Sequence, residues 1–288
     1  MHVPVSNPLL AKLGPIFLVS VVILLFVQWR WPLRRQHFWA LRRWVRNLLL
    51  AIPGLLASRL VLVPIPFFIS LWATRHHFGL FHWLPLPAVF AVPLGVLLYD
   101  YAYYWWHMLM HMAPFFWRFH NVHHTDLDMD VTTASRFHLG EVLFSIFFRT
   151  AVVALLGLSI WTLVAYELLF TLANQFQHSN WRLPIALERV LNFAFVTPRM
   201  HGIHHSIVQR ETNSNWGTVF CWWDRLHRTL RLDIPQDEIT IGVAAYREDA
   251  ELTFGKLFIL PFRKPRAWQL PNGEVPERPA HPTDQLVP

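Results

Sequence analysis

Cysteine is nearly missing from this chain: its 288 residues hold one, Cys221. A single thiol excludes a disulfide framework, a four-cysteine zinc site and a cysteine-ligated iron–sulfur cluster within the chain. Charge is scarce as well. Asp, Glu, Lys and Arg make up 15% of the residues, whereas an ordinary soluble domain carries about 25%. Lysine is the rarest of them, three against 22 arginines. Several motifs are also missing. There is no G-x-G-x-x-G nucleotide loop, no C-x-x-C-H haem attachment, no H-P-G-G haem loop (His281-Pro282-Thr283 does not match) and no H-E-x-x-H zinc protease motif. The chain therefore shows no flavin or haem site of its own.

Apolar and aromatic residues fill the space. The hydrophobic share is 54%, with 15 Trp and 23 Phe. A net charge of +7 would admit nucleic acid, but the arginines lie beside apolar runs. That arrangement fits headgroup contact and membrane sidedness, with no nucleic-acid partner. The fold class expected is all-α, a polytopic helical membrane protein with a cytosolic, histidine-rich helical cap.

Leu9 to Trp29 is a first apolar span. Arginines follow it and no small-residue cleavage site is present, so it reads as a retained anchor and not a signal peptide. RWPLRRQHFWALRRWVRN (30–47) holds six arginines and reads as a cytoplasmic loop by the positive-inside rule. A second run, Leu48 to Trp72, is broken by Pro53, Pro64 and Pro66, with Arg59 facing protein or headgroups. A third spans Leu84 to Tyr104. Its aromatic end, Tyr101 to Trp106, reads as an interfacial belt and in part as the wall of an apolar pocket. Counting passes puts the stretch from His107 on the cytoplasmic side. The run Val142 to Leu172 is too long for one comfortable crossing and short for two at ~1.5 Å per residue. A hairpin there returns the chain to the same side. Four regions result: 1–99, N-terminal transmembrane helices; 100–232, a catalytic region with a membrane hairpin; 233–270, a cytosolic extension; 271–288, a Pro-rich, disordered tail.

Histidine is conspicuous. HMLMH holds His107 and His111; HNVHH holds His120, His123 and His124; QFQHSN holds His178; HGIHH holds His201, His204 and His205. Residues three and four apart share a helix face, so each stretch can aim two or three imidazoles at one point. With 17 histidines in the chain, H-x-x-H-H should arise by chance only about 0.06 times, yet it occurs twice. A metal-free stack of nine such rings would repel itself on protonation. A lone ring such as His82 or His227 reads instead as packed or at the surface. Nine nitrogens exceed one ion's needs and suit two, at four or five each.

The set H-x-x-x-H, H-x-x-H-H, H-x-x-H-H, with DYAYYWWHMLMH, RFHLGE, NQFQHSN, TPRMHGIHHS and NSNWGTVFCWWDRLHRT, resembles the fatty acid hydroxylase/sterol desaturase superfamily of integral-membrane non-haem di-iron enzymes. The resemblance covers about Asp100 to Thr229. It implies two iron ions (zinc can displace them on purification) and O2 as co-substrate. It implies hydroxylation, or desaturation, of an unactivated C–H bond in a lipid such as a sterol or fatty acyl chain. It also implies an external electron donor: a ferredoxin, cytochrome b5 or a flavin reductase. Some relatives carry a further H-x-x-x-H ending at the position of His178; here Asn174 stands first, leaving water or the Asn174 carbonyl to take that place. His138-Leu139-Gly140-Glu141 replaces the frequent H-P-x-E, so the turn there is expected to differ.

Around the metals, Asp100 lies seven residues before His107, on the same helix face, and is read as orienting an imidazole N–H, with a simple carboxylate at the membrane interface as the alternative. Asp224 can do the same or simply pair with Arg225. His138 and Glu141 reach the metals or order a loop. Arg118 and Arg199 bind a headgroup or a substrate carboxylate, or are ordinary interfacial cations. Asp126, Asp128 and Asp130 read as a solvated loop face. Two other functions stand beside the oxygenase: a histidine-rich metal transporter, which would want ligands at mid-membrane, and a zinc-dependent membrane hydrolase, which would want a glutamate base.

Overall fold

The computed structural model describes residues 8–36, 40–58, 60, 64–84 and 86–278. Arg59 and the tail beyond 278, both read above, lie outside them. Thirteen α-helices and short 3-10 turns make up the described fold, and no β-ladder longer than an isolated bridge occurs among the described residues.

The long helices come first: α1 Pro8–Arg30, α2 Ala40–Ala57, α3 Pro64–Arg75, the single turn α4 Leu80–Trp83, α5 Ala88–Met112, α6 Pro114–His124, α7 Leu139–Leu156 and α8 Ile160–His178. Short helices follow: α9 Ile185–Leu191, α10 Pro198–His204, α11 Gln209–Thr212, α12 Trp222–His227 and α13 Phe254–Ile259. Where a membrane hairpin was expected, α7 and α8 form a helical hairpin. Gly157, at φ 67°, ends α7 in a left-handed cap, and Ser159 restarts the chain by accepting from the Thr162 amide at 3.2 Å.

The bundle has two ends. At one end Gly79 (φ 98°) meets Gly157: a Cβ on Gly79 would lie 2.4 Å from the Gly157 amide nitrogen. Only two glycines can turn back to back at that separation. Ser70 of α3 also donates to the Leu158 carbonyl there, at 2.6 Å. The opposite end gathers the histidines. Gln28 near the end of α1 accepts from the amides of Val131 and Asn180, each at 3.2 Å. Arg43 and Asn47 at the start of α2, His107 at the end of α5, Glu141 at the start of α7 and His178 at the end of α8 all bond within that region. The chain thus leaves the histidine end through α2 and α3, returns through α5, leaves through α7 and returns through α8.

Among the described residues, one helix, α7, is long and apolar enough to cross a bilayer alone. Helices α3 and α4 with α5 meet that standard only as a pair bent by 85°. Outward faces are nonetheless greasy: Leu18, Val22 and Phe26 on α1, Leu48 and Leu55 on α2, Phe90 on α5 and Phe147 on α7 are all exposed. Charge inside the hairpin is handled by pairing, because Arg149 of α7 contacts Glu167 of α8 and donates to the Tyr99 hydroxyl.

The stretch 30–47 is not a free loop. Arg34, Arg43 and Arg46 are buried, and its second half is the first part of α2. Asp126, Asp128 and Asp130 are likewise buried, not solvated. Arg43 bridges Asp126 at 2.9 Å and Asp130 at 3.0 Å and donates to the Asp128 carbonyl at 2.6 Å. A cation buried on α2 needs these oxygens, and the loop needs the cation. Residues 271–278, expected in a disordered tail, instead end on Arg278, which pairs with Glu211 at 2.7 Å and Glu238 at 3.0 Å.

Candidate metal centre

Both H-x-x-H-H stretches sit on short helices that start with proline after a break. Pro114 opens α6 directly after α5, and Pro198 opens α10 behind the N-cap of Thr197. Proline at the first helical position loses no hydrogen bond, so the start is fixed and the phase of every later residue with it. The two helices meet at the ends of α5 and α8.

Nine imidazoles gather there in two groups: His107, His111, His120, His124 and His204 in one, His123, His178, His201 and His205 in the other, with ligand atoms within 4.8 Å of one another in each. The motifs interleave. In HNVHH, His120 and His124 go to the five-member group and His123 to the other. In HGIHH the division is reversed: His204 goes to the first group, and His201 and His205 to the second. The groups abut, with the rings of His124 and His205 stacked at 4.2 Å.

Four of these rings have their tautomer fixed from outside. The Nδ1 of His107 meets the Trp216 carbonyl at 2.9 Å, that of His204 the Ser214 carbonyl at 2.8 Å, that of His178 the Asn174 carbonyl at 2.7 Å, and that of His120 the Glu141 carboxylate at 2.7 Å. Each acceptor calls for N–H at Nδ1 and leaves a lone pair on Nε2, turned into the cluster. Nε2 of His123 and His201 lie 3.1 and 3.0 Å from that of His178. Both ring nitrogens of His111, His124 and His205, and Nε2 of His120 and His204, are buried without a hydrogen-bond partner. Buried polar atoms are seldom left so, and neutral imidazole nitrogens converging on two points fit two metal ions. Burial first, then neighbouring imidazoles, holds His123, His124, His201 and His205 well below the usual histidine range. Burial takes His204 down to about 3, against the opposing bond to Ser214. Uncharged rings keep their lone pairs available.

The remaining candidates separate into those that touch the cluster and those that do not. Glu141 touches it through His120. Asn174 does so only through its backbone; its side chain donates to the Ala134 carbonyl at 3.0 Å, so it does not fill a ligand position. His138 lies outside both groups. It caps α7 by accepting from the Gly140 amide, and its Nε2 meets the Phe258 carbonyl, each at 2.9 Å. Asp100 does not reach His107. It accepts from Tyr166 (3.0 Å), Thr218 (2.8 Å), Trp223 (2.8 Å) and the Phe220 amide (3.1 Å), tying α5 to α8 and to the 216–224 segment. Helical phase gave it the right face but not the right depth. Asp224 acts at one remove. It accepts from the amides of Trp216 and Gly217, each at 2.8 Å, and so holds the loop whose carbonyl meets His107. Burial lifts it to about 6 despite those bonds. Arg199 is committed to Glu188 at 2.6 Å, and Arg118 reaches the Pro261 carbonyl at 3.5 Å; neither lies in the metal groups.

Sequence reasoning missed the loop 213–217 as an orienting device. Asn215 sits at φ 55°, a conformation asparagine tolerates better than most residues. Its amide donates to the carbonyls of Met200 and Arg231, each at 2.9 Å. The bend aims the carbonyls on either side, Ser214 and Trp216, at His204 and His107. Phe137 was also missed; it stacks on His123 at 4.6 Å and 8°. Main-chain acceptors and ring stacking leave no residue-type signal.

The fatty acid hydroxylase family profile matches residues 92–229. Ornithine lipid hydroxylase OlsE of Rhizobium tropici is 30% identical over 54% of this chain and 46% of its own. Cholesterol 25-hydroxylase of Homo sapiens is 26% identical over 53% of this chain and 60% of its own. Alkylglycerol monooxygenase of Danio rerio is 26% identical over 66% of this chain and 42% of its own. The chain spans about half the length of the curated relatives it matches. No solved structure matches it.

Proposed function

We propose that the chain is a member of the fatty acid hydroxylase/sterol desaturase superfamily, which its matched region resembles, and that it is a membrane-bound non-haem di-iron oxygenase acting on a C–H bond of a lipid. One observation carries the reading: nine imidazoles in groups of five and four, with buried nitrogens left for metal. Nitrogen-only sites suit iron, copper, nickel and zinc; the family favours iron. Bound iron would supply reductive activation of O2 and removal of hydrogen from an unactivated C–H bond. Hydroxylation is the outcome favoured over desaturation.

The residues of this chain do the positioning. His107, His111, His120, His124 and His204 would hold one ion, and His123, His178, His201 and His205 the other. Glu141 and the carbonyls of Trp216, Ser214 and Asn174 keep four of those rings turned inward. Phe137 and Trp216 wall the cluster with rings rather than water-binding groups. A dry wall suppresses side reactions of a strong oxidant.

The exposed apolar faces of α1, α2, α5 and α7 are read as lipid-facing. The chain alternates between two ends, which supports a polytopic arrangement. The exposed arginines Arg30, Arg35 and Arg42 stand at the histidine end, which by the positive-inside rule supports a cytoplasmic location for that end and its cap. The relatives' named substrates are an ornithine lipid, cholesterol and an alkylglycerol; a long lipid entering from the bilayer would meet the metals at its cytosolic end. Electrons come from a separate protein.

The test supplies purified, iron-loaded protein with membrane lipid extract, a reductant and 18O2. One 18O atom in a lipid alcohol, dependent on iron and reductant, is the expected result. Lipid hydrolysis with zinc and without O2, or metal flux across liposomes without O2, would overturn it.

A further inference from the structure

A pocket of about 90 Å³ opens on the cap beside α13. Four cations line it, Lys256, Arg263, Lys264 and Arg266, against one carboxylate, Glu251. That carboxylate is already paired with Arg266 at 2.7 Å. The pocket's apolar lining is Tyr246, Leu252 and Leu260. Tyr246 and Leu252 belong to the cluster against which Leu260, Trp117 and Trp268 pack. The two indoles face each other at 5.7 Å, tilted by 31°. Trp117 in turn lies 4.9 Å from the ring of His111 and 5.5 Å from that of His124. Both histidines are in the five-member group. Trp268 is half-buried, anchored by its indole N–H on the Ile207 carbonyl at 2.7 Å. A basic surface is thus joined through two contacting indoles to the metal-holding imidazoles.

We propose that this surface docks an acidic one-electron carrier protein, and that Trp268 and Trp117 form the path by which its electrons reach the metal centre. The proposal rests on the oxygenase reading. The stoichiometry requires two electrons per turnover: R–H + O2 + 2 e− + 2 H+ gives R–OH + H2O, the carrier being oxidised twice by one electron each time. Tunnelling weakens steeply with distance, and rings in contact shorten the gap between surface and metal. Clustered cations steer an acidic partner to the mouth of that path. An anionic lipid headgroup could also use the cations, and exposed Phe258 and Phe262 lie near them. A headgroup site, however, has no use for an indole pair leading inward to His111 and His124, and this favours the carrier.

The test uses the chain in nanodiscs and a reduced plant-type ferredoxin as the acidic probe. Two quantities are read: association of oxidised ferredoxin, and the stopped-flow rate at which reduced ferredoxin is oxidised by the iron-loaded chain. The combined variant Lys256→Glu, Arg263→Glu, Lys264→Glu is expected to weaken association and to slow electron transfer about 10-fold or more, with the salt dependence of the rate lost. Trp268→Leu is expected to bind ferredoxin as the wild type does yet transfer electrons more slowly. Both variants should be reduced by dithionite at the wild-type rate, which shows that their metal centres are intact. Wild-type ferredoxin rates in the charge-reversed variant would overturn the docking surface, and assign the cations to headgroups if binding to anionic vesicles falls instead. A wild-type rate in Trp268→Leu would overturn the path. A wild-type chain whose iron accepts electrons from no reductant and consumes no O2 would fail earlier, at the oxygenase reading itself.

Discussion

At the scale of single residues, the candidate metal centre consists of imidazoles able to hold metal and neighbours that turn them. The Glu141 carboxylate bonds directly to a clustered imidazole, at 2.7 Å from His120 Nδ1. Its loss should weaken metal affinity about 10- to 100-fold. Metal analysis of Glu141→Ala should show less metal per chain than the wild type, and Glu141→Gln, which keeps an acceptor oxygen, should recover most of it. Asn215→Ala should act similarly from farther away, because the bend that presents the Ser214 and Trp216 carbonyls loses its two amide bonds. The histidines themselves were legible in the sequence, since their spacing encodes a shared helix face. Their partners were not. Asp100 has the right phase toward His107 but spends its oxygens on Tyr166, Thr218, Trp223 and Phe220. Three of the four orienting acceptors are backbone carbonyls, which every residue owns.

At the scale of elements, the breaks matter as much as the helices. Gly79 holds a backbone conformation (φ 98°, ψ 162°) that suits essentially glycine alone, and Gly157 fills the space where its Cβ would go. Gly79→Ala should cost at least about 2 kcal/mol, read as a lower thermal midpoint in detergent with metal content per folded chain unchanged. The loop after α6 depends on α2. Burial raises the Asp126 carboxyl, but Arg43 and then Arg136 outweigh it and hold the group well below the usual carboxylate range. A depressed folded value means stability that is present above the unfolded value, about 3.9, and lost as pH falls through the folded one. Asp126→Asn should therefore lose about 3 kcal/mol near neutral pH, and its deficit against the wild type should shrink below about pH 4. Thermal unfolding across that range checks the sign. The length of one apolar run pointed to a break within it, which falls between α7 and α8. The Arg43 pairing was not, because composition shows that arginines abound without showing which ones turn inward.

At the scale of the whole molecule, helix ends converge on one pole and tight glycine turns close the other. That polarity places four separate histidine stretches, spread from His107 to His205, at one point. The sequence repeats H-x-x-H-H, and the fold crosses the two copies so that each serves both groups. The capacity for two ions follows from this crossing and is the claim on which the oxygenase reading depends. Its most direct measurement is the iron content and X-ray absorption of the purified, iron-reconstituted chain, alongside His178→Ala and His111→Ala. Two irons per chain in a nitrogen-rich shell, with each variant losing iron from one group first, is the predicted result. A single iron per chain, or a shell in which imidazole nitrogen is a minority, would contradict it.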